Sequence, residues 1–130
     1  MQDAPNELPS LPLQRARFLT LGKSFYSEVA PAPLSKSYRI SLNEPLAKSL
    51  LIPDSLISSE KAIAELTGDR ISAAQTPVAT VYSGHQFGVW AGQLGDGRAM
   101  LLGELRDNDG LQQEIQLKGA GETPYSRRAD

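Results

Sequence analysis

The chain has no cysteine, so it can form neither a disulfide nor a thiolate metal site. Aromatic residues are only 6% of it, which leaves Leu, Ile, Val and Ala to make the core. No charge of one sign dominates: 13 basic side chains face 15 acidic ones, a net charge of −2. That balance supplies no electrostatic drive towards nucleic acid or an anionic membrane, and neither is expected as a partner. No apolar run approaches the roughly 18–20 residues of a membrane span. The N-terminus scatters acids and prolines (Asp3, Pro5, Glu7, Pro9, Pro12) where a secretory leader has a basic start and an apolar stretch. It also lacks the arginine-rich character of a transit peptide.

What is present suits one modest domain of 130 residues, 40% of them hydrophobic. Composition shifts near residue 80. Eight of nine prolines lie at or before Pro77, and nine of eleven glycines lie between Gly84 and Gly121. This divides the chain into an N-terminal wrapping segment, 1–80, and a glycine-punctuated β module, 81–130. The expected class is α+β, an antiparallel sheet with flanking short helices.

Local patterns predict the elements. Residues 1–12 read as mobile from their prolines, acids and terminal position. Leu13, Ala16, Arg17 and Leu21 have the spacing of one short helix over 13–22. The Pro31–Leu34 run forces extended backbone, and Tyr38–Leu42 alternates as a short strand does. Asn43 caps a helix over Glu44–Leu51, which Pro53 ends. A second helix starts at Ser59 and runs to Thr67, with Gly68 as its stop. Val78–Tyr82 and Ala99–Leu105 read as strands, Asp107–Gly110 as a turn, and Gln113–Lys118 as the returning strand. Alternation places Ile115 and Leu117 on one face of that strand and Lys118 on the other.

Three features bear on chemistry. Gly92, Gly95 and Gly97 are spaced G-x-x-G-x-G, read as one glycine-rich turn. Glycine lets a backbone approach phosphate oxygens closely. The spacing is neither the Walker nor the usual kinase pattern, and alone it reads first as a tight turn between strands. Arg98 adds a permanently charged planar fork suited to phosphate; its alternative is a surface pair with Asp96 or Glu104. Asp96 is awkward beside an anion unless Arg98, a cation or an outward orientation offsets it. Lys118 has an ammonium that reaches phosphates in a kinase-like arrangement, or else is an exposed strand-end lysine. His85, the only histidine, reads as structural, hydrogen-bonded within its loop. Phe87 and Trp90 read as packing residues, and Arg127 with Arg128 as a solvated basic end.

The strings YSGHQFGVWAGQLGDGRAMLLGE (82–104) and IQLKGAGETPYSRRAD (115–130) resemble selenoprotein O, the SelO family of kinase-like proteins. FYSEVAPAPLSKSYRISLNEPLAKSLLI (25–52) is similar to that family's N-terminal segment. The resemblance implies the N-terminal lobe of a protein-kinase-like fold, a pseudokinase that binds ATP in a flipped orientation. The implied activity is AMP transfer from ATP to Ser, Thr or Tyr hydroxyls of protein substrates. Carried over by position, the nucleotide-binding residues are Gly95, Gly97, Arg98, Lys118 and Asp130. Asp130 matches the aspartate of an Ala-Asp-Gly element.

Family members run to several hundred residues, so the resemblance covers about their first quarter. It places the catalytic residues and the Mg²⁺ ligands beyond this chain and leaves the 130 residues inactive by themselves. It implies a cytoplasmic setting in a bacterium, or a mitochondrial one in a eukaryote. An isolated lobe with an open sheet edge is expected to self-associate. A conventional kinase-like phosphotransferase and a non-catalytic interaction module remain as alternatives.

Overall fold

The computed structural model describes residues 9–71 and 76–127. Its fold is mixed α+β. The elements in chain order are β1 (Tyr26–Glu28), α1 (Glu44–Ser49), α2 (Asp54–Ile57), α3 (Glu60–Thr67), β2 (Val78–Gln86), β3 (Val89–Gly95), β4 (Ala99–Arg106) and β5 (Gln112–Lys118). A short 3₁₀ turn at Arg17–Leu21 and another at Lys23–Phe25 precede β1. The composition change near residue 80 thus falls inside β2.

The five strands form one antiparallel sheet in the order β1-β2-β4-β5, with β3 joined to β2 alone. The first residues of β2 lie between β1 and β4: Val78 is opposite both Glu28 and Leu101. From Val81 onward β2 pairs with β3 instead, from Val81↔Gly95 to Gln86↔Val89. This half is a two-stranded ribbon that reverses at Phe87 and Gly88. Both turn residues have positive φ, 54° and 76°. Such a two-residue reversal matches the twist of the strands it joins.

Short-range rules account for the helices. The Asn43 side chain accepts the Leu46 N–H, and Ser59 accepts the Ala62 N–H, both at 3.1 Å. Each cap of this kind contributes about 1 kcal/mol. Gly68 closes α3 in the left-handed conformation, φ 83°. The Asp107 carboxylate takes the N–H groups of Asp109 and Leu111, which fixes the β4–β5 turn.

Leu13, Ala47, Leu50, Ile52, Ile57 and Ala62 pack with Leu105 of β4 in one apolar cluster. Ala16, Leu19, Tyr26, Val78 and Leu101 form a second. Burying each such leucine contributes on the order of 1.5–3 kcal/mol. Aliphatic residues dominate both clusters, as the scarcity of aromatics requires.

Four expectations fail on tertiary grounds. Leu11 is buried, and its N–H bonds to Glu65 at 3.1 Å, so the mobile segment cannot extend to residue 12. Residues 1–8 of that expectation lie outside the described residues. The first part of the 13–22 helix is extended, because Gln14 and Glu104 exchange two backbone hydrogen bonds of 2.8 Å. The Glu104 carboxylate then takes the Arg17 N–H at 2.9 Å and pairs with its guanidinium at 3.2 Å, which starts the 3₁₀ turn. Tyr38–Leu42 pairs with no strand among the described residues, and Ile40 is 88% exposed. Phe87 and Trp90 do not pack inside: they are 95% and 58% exposed, because the ribbon leaves the sheet and takes both with it.

Candidate phosphate-binding site

The glycine pattern is divided between two structures rather than forming one turn. Gly92 lies within β3 opposite Gly84, beside a register shift, and Gly95 is the last residue of that strand. Only Asp96, Gly97 and Arg98 make the turn into β4. The reason for glycine at 95 is close approach. A Cβ there would stand 2.6 Å from Cγ of Tyr125, well inside contact distance. A Cβ on Gly97 would meet nothing nearer than 3.6 Å.

The turn is fastened from three directions. Towards β2, the Asp96 N–H donates to the Thr80 carbonyl at 2.9 Å. The Asp96 carboxylate accepts both the Thr80 N–H and its hydroxyl, each at 2.9 Å. Asp96 therefore has a structural occupation in the sheet. Towards β5, the Arg98 carbonyl accepts the Gly119 N–H at 2.7 Å. On the third side, Thr123 donates its hydroxyl to the Asp96 carbonyl, and Ser126 donates its own to the Gly97 carbonyl.

The backbones of Arg98 and Lys118 stand at the same end of the β4–β5 pair. Lys118 is the register partner of Ala99, and Gly119 bonds to Arg98. Lys118 is exposed, as are Gln116 and Glu114, while Ile115 and Leu117 are half-buried, so the predicted alternation is present. Asp96 accepts from Thr80, and Glu104 pairs with Arg17. Asp130 and Arg128 lie outside the described residues. Arg127 donates to the Gln86 side chain near the ribbon's end. His85 is exposed, with its ring edge-on to Trp90 at 5.2 Å.

Among the described residues no three His, Asp or Glu side chains gather as metal ligands. No helix there is long and apolar enough to cross a membrane. Sequence reasoning missed Thr80, Thr123, Tyr125 and Ser126. Thr80 lies 16 positions from Asp96 and Ser126 lies 29 from Gly97, separations at which no periodicity operates. The only available signal was the Thr-Pro-Tyr-Ser string itself, whose hydroxyls suit turn formation.

Comparison with known proteins adds a family. The model described as protein adenylyltransferase SelO matches residues 11–130. A protein nucleotidyltransferase YdiU of Dechloromonas aromatica is 48% identical over 129 residues, 98% of this chain and 26% of the relative. Proteins of the same name from Albidiferax ferrireducens and Rhodopseudomonas palustris are each 51% identical, over 89% and 87% of this chain. The chain spans about a quarter of the length of these relatives.

Proposed function

The chain belongs to the SelO family, and on that premise we propose that it is the nucleotide-binding part of a protein adenylyltransferase. In this reading the β sheet is the N-terminal lobe of a kinase-like fold. The family match over residues 11–130 carries the proposal, and the shared location of Arg98 and Lys118 supports it. Two cationic residues at one strand end, beside a turn held by Thr80, Gly119, Thr123 and Ser126, suit a triphosphate. Arg98 offers a fork and Lys118 a mobile point charge.

ATP supplies the activated AMP group. A protein hydroxyl oxygen forms a bond to the α-phosphorus, the bond to the bridging oxygen of pyrophosphate breaks, and pyrophosphate leaves with the added negative charge. Arg98 and Lys118 hold the β- and γ-phosphates and stabilise that charge as it grows. Neither acts as a base. Among the described residues no three His, Asp or Glu side chains gather, and the proposal places the Mg²⁺ ligands, like the proton acceptor, outside this chain. Gly95 and Gly97 shape the turn, and Asp130 belongs to the same nucleotide site. Protein substrates with hydroxyl side chains and a cytoplasmic setting complete the reading.

The test incubates the intact protein with ATP labelled at either the α- or the γ-phosphate. Label reaching protein only from the α position is expected. Transfer of γ label would replace the proposal with kinase chemistry.

A further inference from the structure

The segment Thr123–Ser126 grips the turn through two successive carbonyl groups, and peptide planarity gives that grip a consequence. Each hydroxyl is used twice. Thr123 Oγ1 accepts the Tyr125 N–H at 3.1 Å and donates to the Asp96 carbonyl. Ser126 Oγ accepts the Thr123 N–H at 3.0 Å and donates to the Gly97 carbonyl. The Tyr125 ring sits against Gly95, and its hydroxyl lies 2.8 Å from that of Ser27 in β1. The clasp is therefore closed on itself, anchored to the sheet, and set on the turn by specific atoms.

There is no cis peptide bond among the described residues. In a trans peptide the C=O and the following N–H point in opposite directions. The Asp96 and Gly97 carbonyls face the clasp, so the N–H groups of Gly97 and Arg98 are turned away from it. Successive N–H groups directed to one side make a concavity that suits an anion.

We propose that Thr123 and Ser126 are positioning residues for nucleotide. By holding those two carbonyls they present the Gly97 and Arg98 backbone N–H groups to a phosphoryl oxygen of the nucleotide. The Tyr125 ring lies against Gly95, so a side chain at position 95 would push the clasp off the turn. This deepens the adenylyltransferase reading and rests on it. The hydroxyls act through the turn and do not touch the nucleotide.

The test measures binding of ATP and of adenosine, which has no phosphate, to the intact protein and its variants. Ser126→Ala and Thr123→Val are each expected to weaken ATP binding about fivefold to tenfold, the worth of one hydrogen bond. Adenosine binding should not change, and Thr123→Ser, which keeps the hydroxyl, should bind ATP as the parent does. Gly95→Ala should also weaken ATP binding, and adding Tyr125→Ala should restore part of it by making room for the methyl group. That pair keeps the test decisive if Ser126→Ala fails to fold.

Equal loss of ATP and adenosine affinity, or no loss of either, overturns the proposal. So does the absence of rescue in the double variant. Arg98→Ala and Lys118→Ala separate the two levels. If they weaken ATP binding while the clasp variants do not, the clasp idea fails alone. If they leave ATP binding intact, the parent reading fails.

Discussion

The two glycine-bearing reversals of the β module make opposite use of the same residue type. At Gly95–Arg98 the backbone is held by Thr80, Gly119, Thr123 and Ser126, and glycine serves to admit the Tyr125 ring. At Phe87–Gly88 no hydrogen bond from outside the ribbon holds these two residues among the described residues, and both adopt positive φ to reverse the strand. One reversal is held by tertiary attachment; the other is made chiefly by local conformation. Glycine density cannot tell these apart, but hydrogen-bond partners can. A fastened turn is suited to holding an anion in fixed geometry, whereas a protruding ribbon with exposed Phe87, Val89 and Trp90 offers contact area.

The largest expected effect lies at the fastened end. Lys118→Ala removes an exposed ammonium and should leave thermal stability nearly unchanged. It should lower adenylylation by the intact protein about a hundredfold or more, the usual cost of one group that stabilises transition-state charge. Unchanged kcat/KM would detach Lys118 from the chemistry.

Asp96→Ala comes next. It removes two charge-assisted hydrogen bonds to Thr80, and a loss of about 2–3 kcal/mol in denaturant unfolding is expected. A loss below half of that would mean the turn is held mainly by the clasp. At the loose reversal the sign inverts. Phe87→Asn places at φ 54° a residue that tolerates the left-handed region, and should stabilise the ribbon by about 1 kcal/mol. Destabilisation there would show that the Phe87 side chain has packing partners in the intact protein.

The smallest effect concerns the third turn, Asp107–Gly110, which is fastened from within. Hydrogen bonds from the Gln113 side chain and from the Leu111 and Asp109 N–H groups hold the Asp107 carboxyl below its usual pKa. A depressed folded pKa means that the stabilisation is fully present above the unfolded value, about 4. It is lost as pH falls through the lower folded value. The stability difference between the parent and Asp107→Asn should thus be flat above about pH 5 and shrink below about pH 4. A difference that grows in acid would reverse the assignment. Asp69 is held low in the same way, by the Ser37 hydroxyl and the Leu34 N–H, and the same sign applies to it.

How far the sequence could be read follows the range of each interaction. Asn43, Ser59 and Gly68 act within a few residues, and their helix ends were legible. So were the Asp107–Gly110 turn and the alternation that exposes Lys118. The β2–β3 ribbon was hidden because its reversal is Phe-Gly, which lacks the Asn-Gly signal of such turns. The 13–22 helix was overruled by Gln14 pairing with Glu104, 90 positions away in the chain. In the candidate site, Arg98 and Lys118 stood out by charge and position. Asp96 looked like a liability because its partner, Thr80, belongs to another strand.

The sequence by itself determined the caps, the turn chemistry, the aliphatic core and, through long unbroken strings of matching residues, the family. These are properties of neighbouring residues, and chain order preserves neighbours. Only the tertiary structure decided which carboxylates are occupied, which aromatics stay outside and which hydroxyls grip the glycine turn. Those depend on atoms that meet only when distant segments are packed together, and the direction of a carbonyl or a side chain is settled by that meeting.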